Sequence, residues 1–141
     1  MVTGKESVEV LRSVPLFADV PIPALKRVLG FSRIVTHPPG DVILRQGSGA
    51  HALHVIISGK AEVSADGTSI ASLGPGDIFG EIAVIDGSRR TASVAAVTEL
   101  RVLAIDAISF RRLVRSDPGL ASALPAEISK RLSELDQLRK E

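Results

Sequence analysis

Apolar and polar positions change their period twice along the chain. Residues 5–12 and 23–30 carry helical spacing. Leu25, Val28 and Leu29 give an i, i+3, i+4 face, and Pro23 suits a first-turn position. Pro15, Pro21 and Pro23 punctuate this entry. From about Ser32 to Ile105 short β-branched runs take over: Arg33–Thr36, Val42–Arg45, Leu53–Ser58, Ala61–Ala65, Ser69–Leu73, Thr91–Val97 and Leu100–Ile105. Turn signals part them, at Pro38-Pro39-Gly40, Gly47-Ser48-Gly49, Ser58-Gly59, Asp66-Gly67, Gly74-Pro75-Gly76 and Asp86-Gly87. Asp66-Gly67 between two such runs is a strong hairpin signal. One stretch, Gly80–Ile85, reads as a short helical turn set between strands.

After Ile105 the helical period returns. Ser109–Arg115 forms one piece and Asp117-Pro118-Gly119 a break. Leu120, Leu124, Ile128, Leu132, Leu135 and Leu138 then recur at steps of three and four, an amphipathic stripe that packs on the strands or on a partner helix. Pro125 would remove a hydrogen bond and clash inside this helix, so a break near Leu124 is expected, with Pro125 in the first turn of a new helix. The rhythm predicts a mainly β fold with flanking α-helices: an antiparallel double-stranded β-helix, or jelly-roll barrel. Its parts are an N-terminal helical bundle over 1–31, a β-barrel over 32–106 and C-terminal helices over 107–141, in one domain of 141 residues.

Composition narrows the chemistry. A hydrophobic share of 45% suffices for a core. A net charge of +1 argues against a general nucleic-acid binder, and an aromatic share of 3% leaves little to stack on bases. The chain has no cysteine, which excludes disulfides and thiolate sites. No apolar run approaches the roughly 18 residues of a membrane span, and Met1–Val10 lacks the apolar core of a signal peptide. A cytoplasmic location is the expectation.

The chemistry concentrates in Phe79–Ser93. Gly80 lets backbone approach a ligand, and a helix start at Glu81–Val84 would present unpaired amides to an anion. Arg90 and Thr91 follow a loop with Asp86-Gly87, which could return a guanidinium fork and a hydroxyl to that anion. Glu81 is out of place beside a bare phosphate, where two unit charges about 4 Å apart repel by about 4 kcal/mol at an effective dielectric of 20. A carboxylate accepts hydrogen bonds only, so it suits a ligand with a hydroxyl beside its phosphate. A ribose 2′-hydroxyl next to a 3′,5′-cyclic phosphate meets that demand.

Phe79-Gly80-Glu81-Ile82-Ala83 followed by Arg89-Arg90-Thr91-Ala92-Ser93-Val94 closely resembles the phosphate-binding cassette of the cyclic-nucleotide-binding domain family. That family includes regulatory subunits of cAMP-dependent kinase, cyclic-nucleotide-gated channels and bacterial catabolite regulators. The likeness extends through Leu11–Ala18, Gly40–Gly47, Ile57-Ser58-Gly59 and the C-terminal helices. It implies a site of Phe79, Gly80, Glu81, Ile82, Ala83, Arg90, Thr91 and Ala92, with no metal and no other cofactor. Glu81 would accept the ribose 2′-hydroxyl, the amides of Gly80, Ile82 and Ala83 would face ribose and phosphate, and Arg90 would pair with the phosphate. A hydroxyl at Thr91 fits either cAMP or cGMP. The likeness also implies that the C-terminal helices move with ligand, Asp117–Leu138 being the moving element and Arg131 the residue that reaches the base.

Other readings carry less. Strand neighbours point to opposite faces, so Arg89 is a surface charge if Arg90 faces the pocket. Arg89–Ser93 also has the pattern of a basic-directed kinase site, a poor reading for a buried strand. His37, His51 and His54 invite a metal, but their spacing supplies no further ligand on one strand, and packed or surface histidines are expected. No nucleophile–base pair stands out, so an enzyme is not expected. The chain reaches Glu141 without the helix-turn-helix, kinase or channel that relatives carry. An effector protein or a missing output domain is then the expected partner, with a homodimer through the C-terminal helix as a further one. The alternative is a barrel-shaped interaction module that has lost nucleotide binding.

Overall fold

The computed structural model describes residues 5–47, 52–80, 92–126 and 130. Helix α1 (Lys5–Arg12), a 3-10 turn (Pro15–Phe17) and α2 (Ile22–Leu29) lead into strands β1 (Ser32–His37), β2 (Val42–Leu44), β3 (Ala52–Ser58), β4 (Ala61–Ala65), β5 (Thr68–Leu73), β6 (Ile78–Phe79), β7 (Ser93–Ala96) and β8 (Leu100–Asp106). Helices α3 (Ala107–Ser116) and α4 (Pro118–Ala123) follow. The strands make two four-stranded antiparallel sheets, ordered β1-β8-β3-β6 and β2-β7-β4-β5. This is the jelly-roll plan that the turn rhythm predicts. Among the described residues the two sheets are not joined by strand pairing, so the barrel is a sandwich of two sheets and not a closed cylinder. The expectation also lacked β6, whose two residues are too few to show a period, and the 3-10 turn.

The sheets differ in what covers them. In the first, β3 and β8 are buried on both faces. Leu53, Val55, Leu103 and Ile105 meet the helices, joining Leu11, Phe17, Leu25, Val28, Phe110 and Leu120 in one core. Phe17 and Phe110 meet edge to face there, with ring centroids 5.9 Å apart. The alternate residues Ile56, Leu100 and Val102 point between the sheets, where they meet Leu44, Ala61, Phe79, Val94 and Ala96. In the second sheet β5 is exposed along almost its whole length.

The corner at Gly59 ties the sheets together. It carries the chain from β3 to β4, directly against the β7–β8 corner. A Cβ on Gly59 would lie 2.1 Å from the carbonyl oxygen of Glu99, and its φ of 96° is left-handed, so only glycine fits. Beside it the Lys60 amide donates to Thr98 Oγ1 at 3.0 Å, and the Val97 amide donates to the Lys60 carbonyl at 2.8 Å. Asp66 and Gly67 take φ of 53° and 79°, the two-residue hairpin turn that Asp-Gly predicts.

The C-terminal helices show why the pattern changes after the strands. The Asp106 carboxylate caps α3 by accepting from the Ser109 amide at 2.9 Å and the Ser109 hydroxyl at 2.7 Å. That cap starts the helix at Ala107, earlier than the apolar pattern predicts. Asp117 ends α3 and caps α4, accepting from the Leu120 amide at 3.1 Å, with Pro118 in the first turn. Leu124 is extended, with ψ of 153°, as a residue before proline should be, and the backbone is helical again at Ala126. The break predicted at Pro125 is therefore present. Leu120 and Leu124 join the helical core, while Ile128, Leu132, Leu135 and Leu138 lie outside the described residues.

Candidate ligand-binding site

Two ends of the Phe79–Ala92 segment are described, and each is held by a different sheet. Phe79 closes β6 beside β3 and is 4% exposed, within the core between the sheets. Its ring stacks on the His54 imidazole, with centroids 4.8 Å apart and planes 10° apart. Gly80 follows with a φ of 85°, the left-handed conformation that its glycine permits at low cost. The turn at Gly74–Asp77 sets the entry to β6: Gly76 donates to the Ile56 carbonyl at 2.9 Å, and Ile56 donates to Asp77 at 2.9 Å.

At the far end, Ala92 is half-buried and leads into β7, between β2 and β4. Val94 and Ala96 point into the core, and Ser93 and Ala95 alternate with them. The Ser93 hydroxyl accepts from the Gln46 amide at 2.9 Å. The Gln46 side chain in turn holds the β4–β5 hairpin, donating to Asp66 Oδ1 at 3.1 Å and accepting from the Asp66 amide at 2.9 Å. Glu81, Ile82, Ala83, Arg89, Arg90 and Thr91 lie outside the described residues, as do Arg131 and His51.

The other two histidines have structural engagements. His37 Nδ1 lies 2.6 Å from Asp41 Oδ2 at the β1–β2 corner, and His54 is packed on Phe79. His54 is thus a packed histidine, as the sequence predicts, with Phe79 as the neighbour that only the fold supplies. The available signal for its burial was its place in a strand buried on both faces, in step with Ile56.

Two carboxylates near the C-terminal helices are held below the usual carboxylate range. For Asp106 the main cause is the hydrogen bond from the Ser109 hydroxyl, with the Ser109 amide and the charge of Arg112 adding to it. For Asp117 the Leu120 amide leads and the Arg27 guanidinium adds to it. The Arg27–Asp117 ion pair links α2 to the α3–α4 junction. Among the described residues no helix is long and apolar enough to cross a membrane.

This layout has known counterparts. The family model described as the cyclic nucleotide-binding domain matches residues 34–117, and the chain belongs to that family. It is 30% identical over 131 residues to the cyclic AMP receptor protein of Thermus thermophilus, covering 89% of this chain and 61% of that one. It is 33% identical over 116 residues to a cyclic nucleotide-gated potassium channel of Rhizobium etli, covering 82% of this chain and 32% of the channel. The chain thus spans from about a third to about three-fifths of the length of these curated relatives. Among solved structures, the N-terminal domain of a transcriptional regulator from Streptomyces coelicolor is 29% identical, with a TM-score of 0.75 over 91% of this chain and 95% of that one. The family is one of regulatory binding domains.

Proposed function

We propose that this chain binds a 3′,5′-cyclic nucleotide through Phe79–Ala92 and acts as a ligand-responsive regulatory module, with cAMP as the first candidate and cGMP as the second. The observation that carries this reading is the framing of the motif. Phe79 ends a strand of one sheet and Ala92 leads into a strand of the other, inside the stretch that matches the family. A ligand held by that segment would touch both sheets. The assignment of Arg90 as the phosphate anchor rests on its place in the motif, where an arginine fork suits two phosphate oxygens. Glu81 then accepts the ribose 2′-hydroxyl, the amides of Gly80, Ile82 and Ala83 line ribose and phosphate, and Thr91 adds a hydroxyl. Arg131 is assigned to the base.

Two relatives, the cyclic AMP receptor protein of Thermus thermophilus and a cAMP-dependent protein kinase regulatory subunit of Yarrowia lipolytica, support cAMP. Nucleotide that prefers one position of the helices beyond Asp117 would shift them, and a partner protein or a further domain would read the shift. A cytoplasmic setting suits this role. Calorimetry with cAMP and cGMP tests the reading. We expect saturable heat with at least one, and Arg90→Ala to weaken it at least about 30-fold, the effect of removing one partner from a buried charge pair. No heat with either nucleotide at high micromolar protein would leave the non-binding interaction module as the better account.

A further inference from the structure

We infer that His54 is a positioning residue for the phosphate-binding segment: its imidazole, stacked on Phe79, fixes the direction in which the backbone leaves β6 at Gly80. This rests on the proposed function for its consequence, but not for its geometry. His54 is 9% exposed and stands directly opposite Phe79 in the β3–β6 pair and opposite Ala104 in the β3–β8 pair. Directly opposed residues share a face, so all three point between the sheets. Ala104 is small, which leaves space for the imidazole, and Phe79 lies flat against it at 4.8 Å. Strand β6 has only Ile78 and Phe79, paired to β3 at Val55 and His54. The Gly76 and Asp77 bonds to Ile56 hold its start, and the ring contact adds to what fixes its end. Gly80, the residue that turns the chain into the segment, follows immediately. A small rotation of Phe79 would swing the Gly80 amide away from a bound phosphate.

Three variants separate positioning from space filling: His54→Ala, His54→Leu and His54→Phe. Each is titrated with cAMP and cGMP, its thermal unfolding is followed, and the Gly80 amide resonance is recorded without nucleotide. An aromatic pair contributes enough to predict about two- to tenfold weaker binding for His54→Ala. His54→Leu should recover thermal stability but not affinity. His54→Phe, which restores a flat partner for Phe79, should recover affinity to within about twofold. The Gly80 resonance should move in the Ala and Leu variants and return in the Phe variant. Unchanged affinity in His54→Ala, or equal rescue by Leu and Phe, overturns the assignment and leaves His54 as packing. If the wild-type protein binds neither nucleotide, the functional reading fails. The Gly80 resonance then decides the positioning claim alone, and its indifference to all three substitutions overturns it.

Discussion

The two sheets have the same number of strands and the same antiparallel plan, but their surroundings are opposite. In the first, β3 and β8 are buried on both faces, by helices on one side and by the second sheet on the other. In the second, only alternate residues such as Ala61, Val94 and Ala96 are buried, and β5 lies open. Side chains follow suit. The helical core holds Phe17, Phe110 and many leucines, whereas the layer between the sheets includes Ala61, Ala96 and Ala104. Apolar burial stabilises at about 25 cal/mol per Å². The first sheet is thus the more deeply buried half, and we expect it to be the more stable one.

This contrast can be broken by experiment. Phe110→Ala removes the ring at the centre of the helical core and should cost about 3–5 kcal/mol by urea unfolding; a loss under 1 kcal/mol would mean the helices are not what holds the first sheet. Gly59→Ala strikes the corner, forcing a methyl onto the Glu99 carbonyl in a left-handed conformation, and should cost about 2–4 kcal/mol. Asp106→Ala should cost about 1 kcal/mol at neutral pH, as a lost helix cap does. Its acid behaviour has a definite sign. The folded carboxyl titrates below its ordinary value, so its stabilisation is complete above that value and fades as pH falls through the lowered folded one. The gap between wild type and variant should therefore close in acid below about pH 4; a constant gap would deny the carboxylate its part. Ile70→Ser, in the open strand, should change stability by less than about 0.5 kcal/mol. Amide exchange sharpens the same contrast, with β3 and β8 expected slowest and β5 fastest.

Much of the fold was legible because its signals are local. β-Branched runs, Asp66-Gly67 and the proline turns mark the strands within a residue or two, and Pro125 marks a break that is present. What escaped depends on distant partners. Ile78-Phe79 becomes a strand only because β3 lies beside it, and α3 starts at Ala107 because the Asp106 carboxylate meets the Ser109 amide. The candidate site divides the same way. Gly80 has the left-handed backbone that a glycine invites, while Glu81 and Arg90 lie outside the described residues. The stacking of His54 on Phe79 was not legible, since it joins residues on two strands that the sequence keeps well apart.

The pairing of β1 with β8, from Ser32 opposite Ile105 to His37 opposite Leu100, has a consequence for biogenesis. The first sheet brings its earliest strand against its last, and β8 stands between β1 and β3. Until the ribosome has delivered Leu100–Asp106, β1 lacks the strand it pairs with, and the core that α1 and α2 share lacks Leu103 and Ile105. The nascent chain must keep those surfaces apart from other chains until β8 has emerged. Folding should then be slow and late, because closing so long a loop precedes its reward. Release from β1 to β8 is the step at which a chaperone would matter most.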